Sequence, residues 1–265
     1  FRERRRAVYG AALVGWMTHA PLDACTSYGT KLWLPFSDAW VAWDLISIID
    51  PVFSIILLVG LIKAVRRVSP RPAVVALALA LLYLGFGMAQ RDRALVAQRG
   101  LALSRGHPTE HVRAIPVLGS VVLWRTLYRS RGWVYADAHQ LVPFMDEQVQ
   151  VQGRAPWFNP ARALATGPHD VRYRFHVFAD GLAIRSPEVD PKWAPMELQM
   201  RIVDPRYSFT YGLDGFWGMD VPRTGAIQWF DFREDVAGGL GPVLLQVFGM
   251  EGTWVSRDDV LGVRR

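Results

Sequence analysis

The densest set of chemistry-bearing side chains within apolar sequence is Thr18-His19-Ala20-Pro21-Leu22-Asp23-Ala24-Cys25-Thr26-Ser27-Tyr28-Gly29-Thr30. His19 and Asp23 are four residues apart, so a helix places imidazole and carboxylate on one face, a turn from each other. Such a pair can share a divalent metal ion, or the carboxylate can orient and polarise the imidazole for general-base work. A structural His–Asp hydrogen bond inside a helix bundle would leave the same spacing. The surroundings favour function, because ionisable groups within a membrane are costly and rare outside working sites. Pro21 between them predicts a kink that opens the backbone to polar neighbours. Asp50, in Ile48-Ile49-Asp50-Pro51, has two compatible roles: it can join His19 and Asp23 if the first two helices pack antiparallel, or it can cap a helix that Pro51 opens. Asp44 is expected at the water interface.

Other candidates are weaker. His107-Pro108-Thr109-Glu110-His111 has the spacing of the inverted zinc-protease motif, but it lies in a polar connector interrupted by a proline. Asp137 and His139 fall on one side of a predicted strand and read as a surface pair. Trp16, Trp33, Trp40 and Trp43 fit interfacial anchors and core. No phosphate-binding glycine loop, nucleophile elbow or nucleic-acid motif is present.

The elements that must position these residues begin with three apolar segments, residues 7–24, 45–62 and 73–89, each near the ~17–20 residues that cross a bilayer as a helix. Positive charges flank the first segment (Arg2 to Arg6) and separate the second from the third (Lys63, Arg66, Arg67, Arg71), while Lys31 alone lies between the first two. The 25–44 loop is therefore expected to face away from the cytoplasm. Arg91, Arg93 and Arg99 oppose simple alternation after the third segment, so the side of the C-terminal region stays open. Residues 90–115 read as an exposed basic helical connector ending in a loop, limited by Pro108 and Pro116. Beyond it, Val121–Tyr128 and Trp133–Leu141 around Arg129–Gly132 predict a hairpin, and Val171–Phe178 with Leu182–Arg185 around Ala179–Gly181 predict a second. Strands are expected at 197–203, 227–232 and 243–248, and a short helix near Asn159–Ala165.

Composition agrees with this division. The chain has 265 residues and a formal charge of +6, long enough for two domains. Its arginines cluster beside apolar segments and form no polar face, so nucleic acid is not expected as a partner. The single Cys25 excludes an internal disulfide and a cysteine-built zinc site, leaving His, Asp, Glu and water as ligands. Phe1 at the start and the absence of a small-residue cleavage site in residues 7–24 suggest a sequence that begins inside a longer protein and has no signal peptide there.

The string His19-xxx-Asp23-xx-Thr26-Ser27-Tyr28-Gly29-Thr30, then Pro35-Phe36-Ser37, Asp44 and Ile49-Asp50-Pro51, resembles the central signature of the bacterial YdjM-like proteins, inner-membrane-associated metal-dependent hydrolases. The likeness spans roughly residues 8–56, and Trp124-Arg125 and Arg201–Tyr207 are more weakly similar to the tail of longer members. In that family an upstream segment supplies an Asp-rich motif and a His-Arg-Gly-x-Thr-His-Ser motif, neither of which occurs in this sequence. The resemblance implies a multi-pass protein of the bacterial inner membrane.

The expected fold is α+β: an N-terminal transmembrane helical region (1–110) carrying the metal site, followed by a soluble antiparallel-sheet domain (111–265). The expected function is membrane-associated metal-dependent hydrolysis of a substrate such as a phosphate ester or lipid. His19 and Asp23 would hold a divalent metal ion, zinc by preference, that lowers the pKa of a bound water. Asp50 would complete or orient the ligand shell, and Thr26 or Thr30 would hydrogen-bond an anionic transition state. Membrane lipid is the expected partner. The competing reading is a non-catalytic membrane scaffold whose soluble domain binds a protein; a transporter would need more spanning helices.

Overall fold

The computed structural model describes residues 2–186, 198–207, 213, 217–231 and 255–256. The expected strand at 243–248 lies outside them. The described chain divides into two compact units, residues 1–93 with 115–122, and residues 94–114 with 123–265.

The first unit contains α1 (Arg2–Ala24), α2 (Pro51–Arg67) and the first part of α3 (Arg71–Ser104). α2 starts where the sequence demands. Asp50 caps it by accepting a hydrogen bond from the Phe53 N–H (2.9 Å), and Pro51, which has no N–H to satisfy, takes the first helical position. It stops at Val68, whose left-handed backbone (φ 49°) lets the cap N–H reach the carbonyls of Ala64 and Val65. A Cβ at Gly60 would overlap the Ala76 side chain and come within 3.1 Å of the Pro72 carbonyl, so glycine is what allows α2 and α3 to approach. Among the described residues, α3 alone is long and apolar enough to cross a membrane, and most of its apolar stretch is exposed. Large apolar side chains also face outward along α1 and α2, including Trp16, Met17, Leu58 and Val65. Exposed apolar surface this extensive suits lipid, not water.

α3 extends past the apolar segment to Ser104, because nothing from Gln90 to Arg99 breaks it. The connector expected to be exposed is instead half covered, with Ala94, Ala97, Gln98, Leu101 and Ala102 buried. Asp44, expected at the water interface, is also buried and has a left-handed backbone (φ 53°).

In the second unit, β1 (His111–Pro116), β2 (Leu123–Ser130), β3 (Trp133–Gln140), β4 (Gln148–Pro156) and β9 (Val255–Ser256) form one sheet in the order β1-β2-β3-β4-β9. The first predicted hairpin is present, with Ser130 opposite Trp133. Its two turn residues, Arg131 and Gly132, both have positive φ (48° and 79°), matching the twist of the flanking strands. A second antiparallel sheet, β5-β6-β7-β8, comprises β5 (Ile184–Arg185), β6 (Leu198–Val203), β7 (Trp217–Pro222) and β8 (Gln228–Asp231). The helices α4 (Ala161–Ala165) and α5 (Val171–Phe178) bring Ala163, Phe175 and Ala179 into a core with Ile202 and Met219 of this sheet.

The second predicted hairpin is therefore wrong: Val171–Phe178 is a helix. Its apolar-polar alternation imitates a strand, but Asp170 caps it by accepting from the Arg172 N–H (2.8 Å). Asp180 and Gly181, with positive φ, then turn the chain after its end.

Candidate functional site

The first unit holds His19, Asp23, Thr26, Thr30 and Asp50. α1 carries His19 and Asp23 near its C-terminal end, and the helical spacing brings His19 Nδ1 to 3.2 Å from Asp23 Oδ2. Their side chains are 67% and 47% exposed, so the pair is open to an incoming ion or ligand. Pro21 lies inside the last turn, and the Cys25 N–H donates to the carbonyls of Pro21 and Leu22, which ends the helix. Thr26 donates its hydroxyl to the Asp23 carbonyl (2.8 Å), a local cap.

Thr30 forms a two-way backbone bridge with Val41, N–H to carbonyl at 2.9 Å in each direction. A Cβ at Gly29 would run into the Val41 carbonyl, and its φ of +69° suits glycine. The Trp43 N–H donates to the Ala24 carbonyl (2.7 Å), so the returning loop is anchored one residue beyond Asp23.

Asp50 is buried, and both of its oxygens are engaged: one caps α2, and the other accepts from the Tyr83 hydroxyl (3.0 Å), linking α2 to α3. Capping and helix linkage are thus the visible work of Asp50. His19 and Asp23 converge, but among the described residues no three His, Cys, Asp or Glu side chains gather into a metal-binding group. A catalytic zinc site ordinarily has three protein ligands. The His19–Asp23 pair offers two, so the donor set among the described residues is incomplete.

The second unit contains a polar network that the sequence reading missed. Asp137 and His139, expected at the surface, are both fully buried in β3. The C-terminal turns of α3 cover them. Arg105 grips both Asp137 oxygens at 2.8 Å, and the Gln98 amide donates to Asp137 Oδ2 (3.1 Å). The Gln98 carbonyl oxygen faces His139 Nε2 (2.9 Å) and accepts from the Thr126 hydroxyl, while His139 Nδ1 meets Glu147 at 2.8 Å. Arg105 also donates to the Tyr128 hydroxyl (3.2 Å), which contacts His107 Nδ1 (2.8 Å). Burial works against the Arg105 charge, but the hydrogen bonds and charge of Asp137 outweigh it and raise the guanidinium pKa. With no solvent access to Asp137 or His139, this is a clamp between helix and sheet, not a site that admits substrate. The available signal was the two-turn spacing of Gln98 and Arg105, polar residues on one face of an otherwise apolar helix end.

The 107–111 motif does not form a zinc site. Residues after Ser104 leave the helix and His111 opens β1, so the two histidines share no helical face. His111 instead meets Asp180 (3.1 Å), which also accepts from Arg113 (3.1 Å). The two distant stretches that suggested a longer relative meet in the fold, where buried Arg125 donates to the Pro205 carbonyl (3.1 Å). Within the second stretch, Arg201 pairs with Asp220 (2.6 Å) and Arg206 with Asp204 (2.7 Å), all four buried.

Residues 1–94 match the YdjM inner membrane protein family. No curated protein and no solved structure matches the chain.

Proposed function

We propose, from the match of residues 1–94 to the YdjM inner membrane protein family, that this chain is a multi-pass inner-membrane protein that serves metal-dependent hydrolysis at the membrane surface. The observation that carries this reading is the His19–Asp23 pair, an imidazole nitrogen and a carboxylate oxygen 3.2 Å apart and open to solvent at the end of a helix. These are two donors of the kinds that bind zinc. In this reading the remaining ligands come from outside the described residues or from an oxygen-rich substrate such as a phosphate ester or lipid headgroup. Asp50 acts as a positioning residue that fixes the start of α2, and the Thr26 hydrogen bond holds the carbonyl of Asp23 in place.

The test is metal content. Full-length protein purified without chelator should carry about one zinc or other divalent ion per chain, and His19→Ala and Asp23→Asn should each release it while the protein stays folded. A non-catalytic scaffold is favoured by a different observation, the engagement of both Asp50 oxygens by the helix cap and Tyr83. It expects no stoichiometric metal in the wild type, and that result would overturn the hydrolase reading.

A further inference from the structure

In the second unit, the sheet face that carries the buried Asp137 continues beyond the end of α3. Asp137 is paired with Thr126, and one step nearer the hairpin turn the register sets Tyr128, Tyr135 and Arg154 side by side across β2, β3 and β4. Trp133, two residues from Tyr135 on the same strand, shares their face. α3 stops at Ser104, and His107 takes its place, with its ring 4.5 Å from that of Tyr135. The Tyr128 and Tyr135 rings stack at 4.8 Å. Arg154 donates to the Tyr135 hydroxyl (3.5 Å), and its guanidinium sits 4.6 Å from the centre of the Trp133 ring.

The charged and polar hydrogens gathered on this aromatic floor are donors. The Tyr128 hydroxyl accepts from Arg105 (3.2 Å), so it donates to His107 Nδ1 (2.8 Å). Burial and the charges of Arg105, Arg131 and Arg154 lower the His107 pKa against the opposing pull of Asp137, which keeps the imidazole neutral. A neutral ring whose Nδ1 accepts carries its proton on Nε2, and that N–H has no partner among the described residues. Arg105 is committed to Asp137. Arg131 and Arg154 are exposed and form no ion pair among the described residues. Arg131 also holds φ 48° at a turn position that suits Gly, Asn or Asp. A long cationic side chain kept in that conformation, with its charge unpaired, points to a role other than folding.

We propose that Arg131, Arg154 and the Nε2–H of His107 bind a phosphate group beside Tyr135 and Trp133. Guanidinium forks match phosphate oxygens in geometry as well as charge. Asp137, the carboxylate whose charge reaches His107, is buried and neutralised by Arg105, so it does not repel an incoming anion. The phosphate of a soluble ester and that of a lipid headgroup present the same oxygens to these donors. The site is independent of the His19–Asp23 pair and of the metal reading.

The experiment uses the full chain in uncharged detergent micelles at neutral pH. Inorganic phosphate is one probe and phosphatidylglycerol mixed into the micelles is the other, each followed by titration calorimetry. At least one should bind saturably, and Arg131→Asn and Arg154→Ala should each weaken that binding by about three-fold or more, the scale of one exposed charge pair. Asn suits the turn better than Arg, so a loss in Arg131→Asn does not come from unfolding. Arg174→Ala, which removes an exposed arginine from α5, should leave binding unchanged. Binding of inorganic phosphate assigns the site to soluble phosphate esters, and binding of phosphatidylglycerol alone assigns it to a lipid headgroup. No saturable binding of either probe overturns the proposal. So does binding that the Arg131 and Arg154 variants leave intact, or that all three variants weaken equally.

Discussion

Replacing Arg105 with Ala tests whether the helix-to-sheet clamp stabilises the second unit. The Asp137 side chain has no solvent exposure, and Arg105 supplies two of its hydrogen bonds at 2.8 Å. In Arg105→Ala the carboxylate keeps the Gln98 amide (3.1 Å) but loses its counter-charge. Stranding one partner of a buried ion pair costs about 3–5 kcal/mol. For a domain of roughly 150–250 residues, each kcal/mol lowers the melting temperature by ~2–4 °C, so the expected fall is roughly 6–20 °C. Removing both charges in Arg105→Met/Asp137→Leu should cost much less, since no charge is left unpaired; what remains is the hydrogen bonding of Gln98 and Tyr128, about 1–2 kcal/mol. Thermal unfolding in detergent micelles, followed by tryptophan fluorescence, reads the transition because Trp124 is fully buried in this unit. A single variant within ~2 °C of wild type, or a double variant as unstable as the single, would refute the reasoning.

Two further outcomes follow from packing and protonation. Gly60→Leu should separate α2 from α3, costing about 1–3 kcal/mol of overpacking, and should increase protease cleavage at the Val68–Pro70 turn; Gly85→Leu, where an added Cβ meets nothing within 4 Å, should change neither. Burial, with Arg129 nearby, pushes the His176 imidazole from 6.5 down to about 4. Between those values the unfolded chain binds a proton that the folded chain does not. Stability is therefore complete above pH 6.5 and falls as the pH drops toward 4, by up to roughly 3 kcal/mol. His176→Phe should flatten that part of a pH–stability curve measured by chemical denaturation, and an unchanged slope would remove His176 as the cause.

Local chemistry was legible in the sequence. The cap and proline of Asp50-Pro51 start α2, the helical spacing of His19 and Asp23 brings their side chains together, and Arg131-Gly132 turns the first hairpin. Each depends on interactions within a few residues, so composition and spacing determine it. Alternation misled at Val171–Phe178, because periodicity reports which side chains are apolar and not which backbone hydrogen bonds form; the Asp170 cap favours the helix.

Only the tertiary structure decided the fate of Asp137, His139 and Gln98. Whether a polar side chain on a strand meets water depends on what covers that face, and here it is the end of a helix some 40 residues earlier in the chain. The same holds for Asp50, whose second partner, Tyr83, is 33 residues away. A short-range pattern offers a side chain for bonding; the folded chain selects its partner, because burial makes an unsatisfied polar group costly and forces the pairing.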